Sequence, residues 1–228
     1  MKKSLPLAIL AGIVAVSGCK KNDTAPGPEK AFVITNYFVA GTNTQATGSR
    51  YTSVYFIQFL ENNKALFIGT ASDNLEGIYR LTGDSLIFEV TGGNARTARF
   101  FLDKDKKIAS AYYKGNGPVE YEAAARLLPV TANNELAGKT FKGDEFKMGE
   151  IPYRSGLIYR FGKAGSNTYG TGTDASVIDN AANNYTLIGG SGFKSVNGTI
   201  TELGFVADQR LTVFRSGGLY YYGKYDQQ

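Results

Sequence analysis

Short runs of alternating apolar and polar residues, cut by turn-forming clusters, dominate this chain from about residue 53 onward. Ser53 to Leu60, Ala65 to Thr70, Gly77 to Leu81, Ser85 to Thr91 and Thr97 to Leu102 read as strands, followed by Ile108 to Lys114 and Val119 to Ala123. Asn62-Asn63, Thr82-Gly83-Asp84, Gly92-Gly93-Asn94, Asp103-Lys104-Asp105 and Gly115-Asn116-Gly117 are the turns between them. Lys139 to Tyr225 repeats the rhythm. Connections this short join antiparallel neighbours, so the pattern predicts an all-β meander closed into a barrel or stacked as a sandwich. Helical periodicity is absent from most of the chain. Its best candidate is Glu120 to Leu128, around Ala123-Ala124-Ala125, but Pro118 and Pro129 bracket it, and a strand or a single turn reads equally well there.

The two halves echo each other. Tyr79-Arg80-Leu81-Thr82-Gly83-Asp84-Ser85 returns as Tyr185-Thr186-Leu187-Ile188-Gly189-Gly190-Ser191, roughly 100 residues later. At similar offsets Tyr55, Ile57 and Phe59 match Leu157, Tyr159 and Phe161, and Phe67 matches Tyr169. Phe100 and Asp103 match Phe205 and Asp208, and Gly117 and Tyr121 match Gly218 and Tyr222. Order and spacing persist while the offset drifts, as insertions in surface turns would make it. The expectation is two tandem β repeats, residues 31–128 and 129–228, each a small barrel. The alternative is one merged barrel or sandwich with pseudo-twofold symmetry. Paired residues should occupy equivalent strand positions, with Phe59 and Phe161 pointing into the core. Leu136-Ala137-Gly138-Lys139-Thr140-Phe141 resembles the opening strand of lipocalin-like (calycin) domains, with Phe141 where that family has Trp, and the first half shows no such segment. The resemblance covers one strand and implies a ligand-enclosing barrel.

Composition agrees with β structure and removes much chemistry. The chain has 15 Tyr, 14 Phe and 28 Gly but only 6 Pro and no Trp, which suits pleated surfaces joined by tight turns. There is no histidine, hence no Ser-His-Asp triad and no ordinary zinc site. The single cysteine leaves no disulfide within the chain. No catalytic residue, metal site or cofactor is expected. The formal charge of +5 falls when Lys2 and Lys3 are lost with the leader described below, and no basic stripe suggests nucleic acid. Asp103-Lys104-Asp105-Lys106-Lys107 lacks the Gly and the final Glu of a calcium loop and reads as a hairpin turn. Gly170-Thr171-Gly172 and Gly189-Gly190-Ser191-Gly192 are followed by strand-like sequence, so they read as turns or bulges and not phosphate loops. Glu89, Glu120, Glu122 and Glu202 fall in strand-like segments, and two of them facing each other in a barrel would make a hydrolase pair, although nothing selects which.

The first nineteen residues say where the protein resides. Lys2 and Lys3 precede an apolar run from Leu5 to Val16, a signal-peptide core too short to span a bilayer, which takes about 20 residues. Val16-Ser17-Gly18-Cys19 resembles the lipobox of bacterial lipoproteins. That resemblance implies removal of residues 1–18, lipidation of Cys19 and membrane attachment through the lipid. Residues 19–30 then form a flexible tether, Lys20 to Pro28 having no apolar content to bury. Lys20 stands where an inner-membrane retention signal would place Asp, so the resemblance implies the outer membrane, facing the periplasm or the surface. Lys21-Asn22-Asp23 is similar to Bacteroidetes-type surface export signals. Asp23-Thr24-Ala25 and Asp84-Ser85-Leu86 resemble that group's O-glycosylation acceptors, with Thr24 in the open tether the better placed.

Tyrosine clusters are the positive hint of binding. Tyr112-Tyr113 ends one repeat and Tyr220-Tyr221-Tyr222 the other. On a strand Tyr220 and Tyr222 share one face and Tyr221 takes the opposite one. One face is core. The other stacks on a sugar, an apolar ligand or a protein partner, unless the neighbouring repeat covers it. The expected function is non-catalytic binding of a small apolar or sugar-like ligand by an outer-membrane lipoprotein. The alternatives are a scaffold subunit contacting an envelope protein partner and a carboxylate-based hydrolase.

Overall fold

The computed structural model describes residues 31–228. The expected signal peptide, the expected lipidation site Cys19 and the expected tether with Thr24 lie outside the described residues. Val33–Gln228 form one compact unit containing two antiparallel barrels.

The first barrel is an eight-stranded sheet: β1 (Tyr37–Gln45), β2 (Thr52–Phe59), β3 (Lys64–Ile68), β4 (Leu75–Thr82), β5 (Ser85–Val90), β6 (Arg96–Leu102), β7 (Ile108–Lys114) and β8 (Tyr121–Pro129). Each of β1 to β6 pairs with the next, and β8 returns beside β1. The alanine-rich segment with a helical option is therefore strand β8, because its inward and outward positions alternate against β1. Between β7 and β8 no ladder forms, and the rings of Tyr113 and Tyr121 meet edge-to-face at 5.4 Å across the seam.

The second barrel is a nine-stranded sheet: β9 (Thr140–Lys147), β10 (Ile151–Phe161), β11 (Thr168–Gly172), β12 (Asn183–Asn184), β13 (Thr186–Ile188), β14 (Gly192–Asn197), β15 (Ile200–Ala207), β16 (Arg210–Gly217) and β17 (Leu219–Gln227). β12 pairs only with β11 and β13 only with β14, and Tyr185 alone separates them. They are one broken strand, so this barrel has the same eight-legged path as the first. Its seam is bridged by Ser195 Oγ donating to the Asn184 carbonyl at 2.6 Å and by Asn197 to Asn183 at 3.0 Å. The turns follow from local chemistry: Asp208 and Gln209 both take positive φ, 51° and 62°, the pair a two-residue type I′ hairpin requires.

Ladder register makes the duplication concrete. Phe59 and Phe161 each end the second strand, are buried, and meet Tyr79 and Tyr185 of the fourth strand edge-to-face at 5.0 and 5.6 Å. The first repeat does have a counterpart of the opening strand. β1 places Val39, Gly41 and Asn43 opposite Ile57, Tyr55 and Ser53, as β9 places Phe141 and Gly143 opposite Tyr159 and Leu157. Three sequence matches shift. Phe67 lies opposite Ile57, while Tyr169 lies opposite Phe161, one rung away. Phe100 fills the first barrel, but Phe205 points out of the second, into the cluster between barrels. Tyr121 reaches Tyr113 inside its barrel, whereas Tyr222 lines the outside of its own. A slip of one residue reverses the face of a strand residue, so similarity without register misplaces it.

The second barrel is filled at one end by Phe141, Tyr159, Phe161, Tyr169, Tyr185, Phe193 and Tyr225. Burying each large aromatic stabilises the fold by about 1.5–3 kcal/mol. The outer faces of β1 and β2 pack on those of β15 and β16 through Phe38, Val54, Phe56, Leu203, Phe205 and Phe214, joining the barrels by a second apolar core. Gly189, at φ 59°, lies so close to the Phe38 ring that a Cβ there would stand 2.3 Å from it. Arg126 also pairs with Asp208 across the junction at 2.9 Å.

Candidate ligand site

The hairpin ends β1–β2 and β9–β10 and the start of β17 converge where the barrels meet. They enclose a cleft of about 400 Å³ lined by Tyr51, Phe146, Met148, Tyr220, Tyr221 and Tyr222, with Arg50 and Glu150 at its edge. Strand alternation sends Tyr220 and Tyr222 outward from β17, and the first barrel supplies the opposite wall. Tyr51 and Tyr220 lie 4.6 Å apart, and Phe214 backs Tyr220 at 5.8 Å. Burial pushes the Tyr222 hydroxyl up to about 12. Arg50 bonds Glu122 of its own barrel at 2.7 Å and Glu150 of the other at 2.8 Å, fixing the rim. Its side-chain bonds to Arg50 hold the Glu122 carboxyl below the ordinary range.

The five tyrosines singled out from the sequence separate in space. Tyr220, Tyr221 and Tyr222 line this cleft. Tyr113 lines the mouth of the first barrel, a cavity of about 290 Å³ that shares Tyr51 and Tyr220 with the cleft. Tyr112, 50% exposed, stands on the outer surface and touches neither. Tyr51 and Phe146 were missed because loop and strand-end residues acquire a shared wall only when the barrels dock.

Of the carboxylates considered, Glu89 pairs outward with Arg80 at 2.7 Å and Glu122 outward with Arg50, and Glu120 is exposed in the loop before β8. Glu202 alone points into a barrel, and its neighbour there is Glu145. Sequence alternation held the clue to Glu145, which lies in phase with Phe141 and Gly143 on the inner face of β9. Arg215 donates to both Glu145 oxygens, at 3.2 and 3.1 Å, and approaches Glu202 at 3.7 Å. Arg154 bonds Glu145 at 2.8 Å, Tyr169 donates its hydroxyl to Glu202, and Arg215 stacks 3.9 Å over the Tyr221 ring. Burial raises the Glu202 carboxyl above its ordinary value, outweighing Tyr169 and Arg215. A hydrolytic pair needs water or substrate between its carboxylates. Here Arg215 stands between them, and two arginines balance two glutamates.

Other sequence features have structural roles. Asp103 Oδ1 accepts the backbone N–H of Asp105 at 2.9 Å and of Lys107 at 2.8 Å, closing the β6–β7 hairpin. Gly189 and Gly190 turn between β13 and β14, and Gly170 and Gly172 lie within β11. Ser85 opens β5 at the β4–β5 hairpin.

Comparison with known proteins returns no match: no family profile, no curated protein and no solved structure resembles the chain.

Proposed function

We propose that this chain is a lipid-anchored, non-catalytic binding module of the outer membrane that holds a small apolar or sugar-like ligand between its barrels. The observation that carries the reading is the 400 Å³ tyrosine-walled cleft, of a size and aromatic character suited to a small molecule. Aromatic faces bind by apolar burial and stacking, and no histidine is present to titrate near neutrality. Cys19 carries the lipid, and the tether lets the paired barrels stand off the membrane on its periplasmic or outer face.

Affinity and melting temperature measured together on the full chain test this. With 1-anilinonaphthalene-8-sulfonate and simple methyl glycosides as probes, Tyr220→Ala weakens binding of the probe that occupies the cleft by about tenfold, and affinity stays constant from pH 6 to 8 and under chelators. Tyr220 is 39% exposed, so its melting temperature should barely move. Probe binding indifferent to Tyr220→Ala and Tyr222→Ala would refute the cleft as the site. Cys19→Ser should shift the protein out of the membrane fraction or leave it unprocessed.

One observation favours a scaffold role beside this one. Phe101 and Tyr112, 54% and 50% exposed, lie near each other on the outer faces of β6 and β7 and could contact an envelope protein.

A further inference from the structure

We propose that the mouth of the first barrel is a separate binding site, built to receive one neutral hydroxylated ring of the monosaccharide class. The argument begins at its floor. Gly41 on β1 faces Tyr55 on β2, and a Cβ at residue 41 would lie 2.4 Å from the tyrosine oxygen. Glycine here lets Tyr55 lie across the barrel. Asn43 occupies the next inward rung of β1. Tyr55 and Asn43 are 2% and 3% exposed, and both line the 290 Å³ cavity. Neither the Tyr55 hydroxyl nor Asn43 Oδ1 has a hydrogen-bond partner in the protein. Leaving such groups unsatisfied in a dry interior is costly, so they call for a ligand that carries the missing partners.

A hydroxylated ring carries both kinds of partner, a hydroxyl that donates to Asn43 Oδ1 and one that accepts from Tyr55. A wholly apolar ligand answers neither. The walls supply ring faces: Tyr55 and Phe67 stack at 5.4 Å and 13°, and Tyr113 stands 5.4 Å from Tyr55 and 6.2 Å from Phe67. At the rim the Arg96 guanidinium lies 4.4 Å over Phe67 and offers donors to further hydroxyls, while Asp73 beside the same opening offers acceptors and disfavours an anion. Aromatic faces with scattered donors and acceptors are what a sugar ring requires. In the second barrel Glu145 replaces Asn43 and Arg215 replaces Tyr113 at the same rung, so an ion network takes the place of this polar pair. The buried hydroxyls left unpartnered there, Tyr159 and Tyr225, lie in the aromatic core and line neither the cleft nor this mouth.

Asn43 and Tyr55 line this mouth and not the cleft, and Tyr222 lines the cleft and not this mouth, so variants make the two fail separately. The full chain is titrated by calorimetry and saturation-transfer NMR with methyl β-glucoside, methyl β-galactoside and methyl α-mannoside, and with tetrahydropyran as the ring lacking hydroxyls. At least one glycoside should bind saturably and tetrahydropyran should not. Asn43→Leu and Tyr55→Phe should each weaken that binding by about tenfold, the worth of one buried hydrogen bond. Tyr222→Ala, which lines the cleft and not this mouth, should leave it within about twofold. Both mouth variants keep the original volume and remove an unsatisfied group, so folding is retained. Equal binding of a trisaccharide ending in the same sugar would identify a glycan terminus as the source, and loss of binding would identify the free sugar. The proposal is overturned if no glycoside binds, if tetrahydropyran binds equally, if Asn43→Leu and Tyr55→Phe change nothing, or if the pair holds only ordered water that the glycosides do not displace.

Discussion

The two barrels are alike at one end and different at the other. At one end Phe59 meets Tyr79 and Phe161 meets Tyr185 in the same edge-to-face contact between equivalent strands. At the other end, rung for rung, Asn43, Ala98, Tyr113 and Ala123 of the first barrel face Glu145, Glu202, Arg215 and Gly223 of the second. One mouth is open, with Arg96 and Asp73 only at its rim, and the other is plugged by ions. The difference shows which part of a duplicated barrel is constrained. The aromatic plug is kept in both barrels, because emptying a close-packed end forfeits its apolar burial and leaves a cavity. The opposite end has two stable fillings, a cavity walled by tyrosine or a charge cluster whose members satisfy one another.

The largest expected effect tests the likeness. Phe59→Ala and Phe161→Ala should each destabilise the chain by about 4 kcal/mol, measured by denaturant unfolding, since both rings are buried and each loses an aromatic partner. A loss of less than about 1 kcal/mol at either position would break the equivalence of the two plugs. The next effect tests the contrast. Glu145→Ala should cost about 3 kcal/mol, because Arg215 and Arg154 lose the carboxylate that holds them inside. Asn43→Ala, at the matching rung, should cost far less, and Arg215→Met added to Glu145→Ala should recover part of the loss. The smallest effect is the pH dependence that Glu202 gives the second barrel. The folded state holds the proton of Glu202 more tightly than the unfolded chain does, because burial raises its carboxyl. Its contribution to stability is therefore greatest below the unfolded value, near 4.5, and is lost as pH rises through the folded value. Glu202→Gln should remove that slope, so that the variant gains on the parent as pH climbs above 4.5. An unchanged stability profile would show that Tyr169 and Arg215 fully offset the burial.

Much of this molecule was legible from its residues alone. Period-two alternation and turn chemistry are local, so β2 to β7 stand within about two residues of where the pattern puts them, in keeping with the usual uncertainty at element ends. The duplication was legible too, since Phe59 and Tyr79 recur as Phe161 and Tyr185 with identity and order kept and the separation drifting only from 20 to 24 residues. β1 was not. Phe38 to Asn43 shares little with Phe141 to Glu145 except Gly41 and Gly143, because one strand carries an apolar outer face buried between barrels and the other a solvated one. Whether Phe205 and Tyr222 look into a barrel or out of it depends on a single residue of register, which ladder pairing sets and similarity does not. The cleft, the orphaned pair Asn43 and Tyr55, and the charge network around Glu145 belong only to the tertiary structure. The cleft and the charge network join strands far apart in sequence, and for the neighbouring-strand pair Asn43 and Tyr55 a side chain's partners and solvation exist only after the sheet has closed around it.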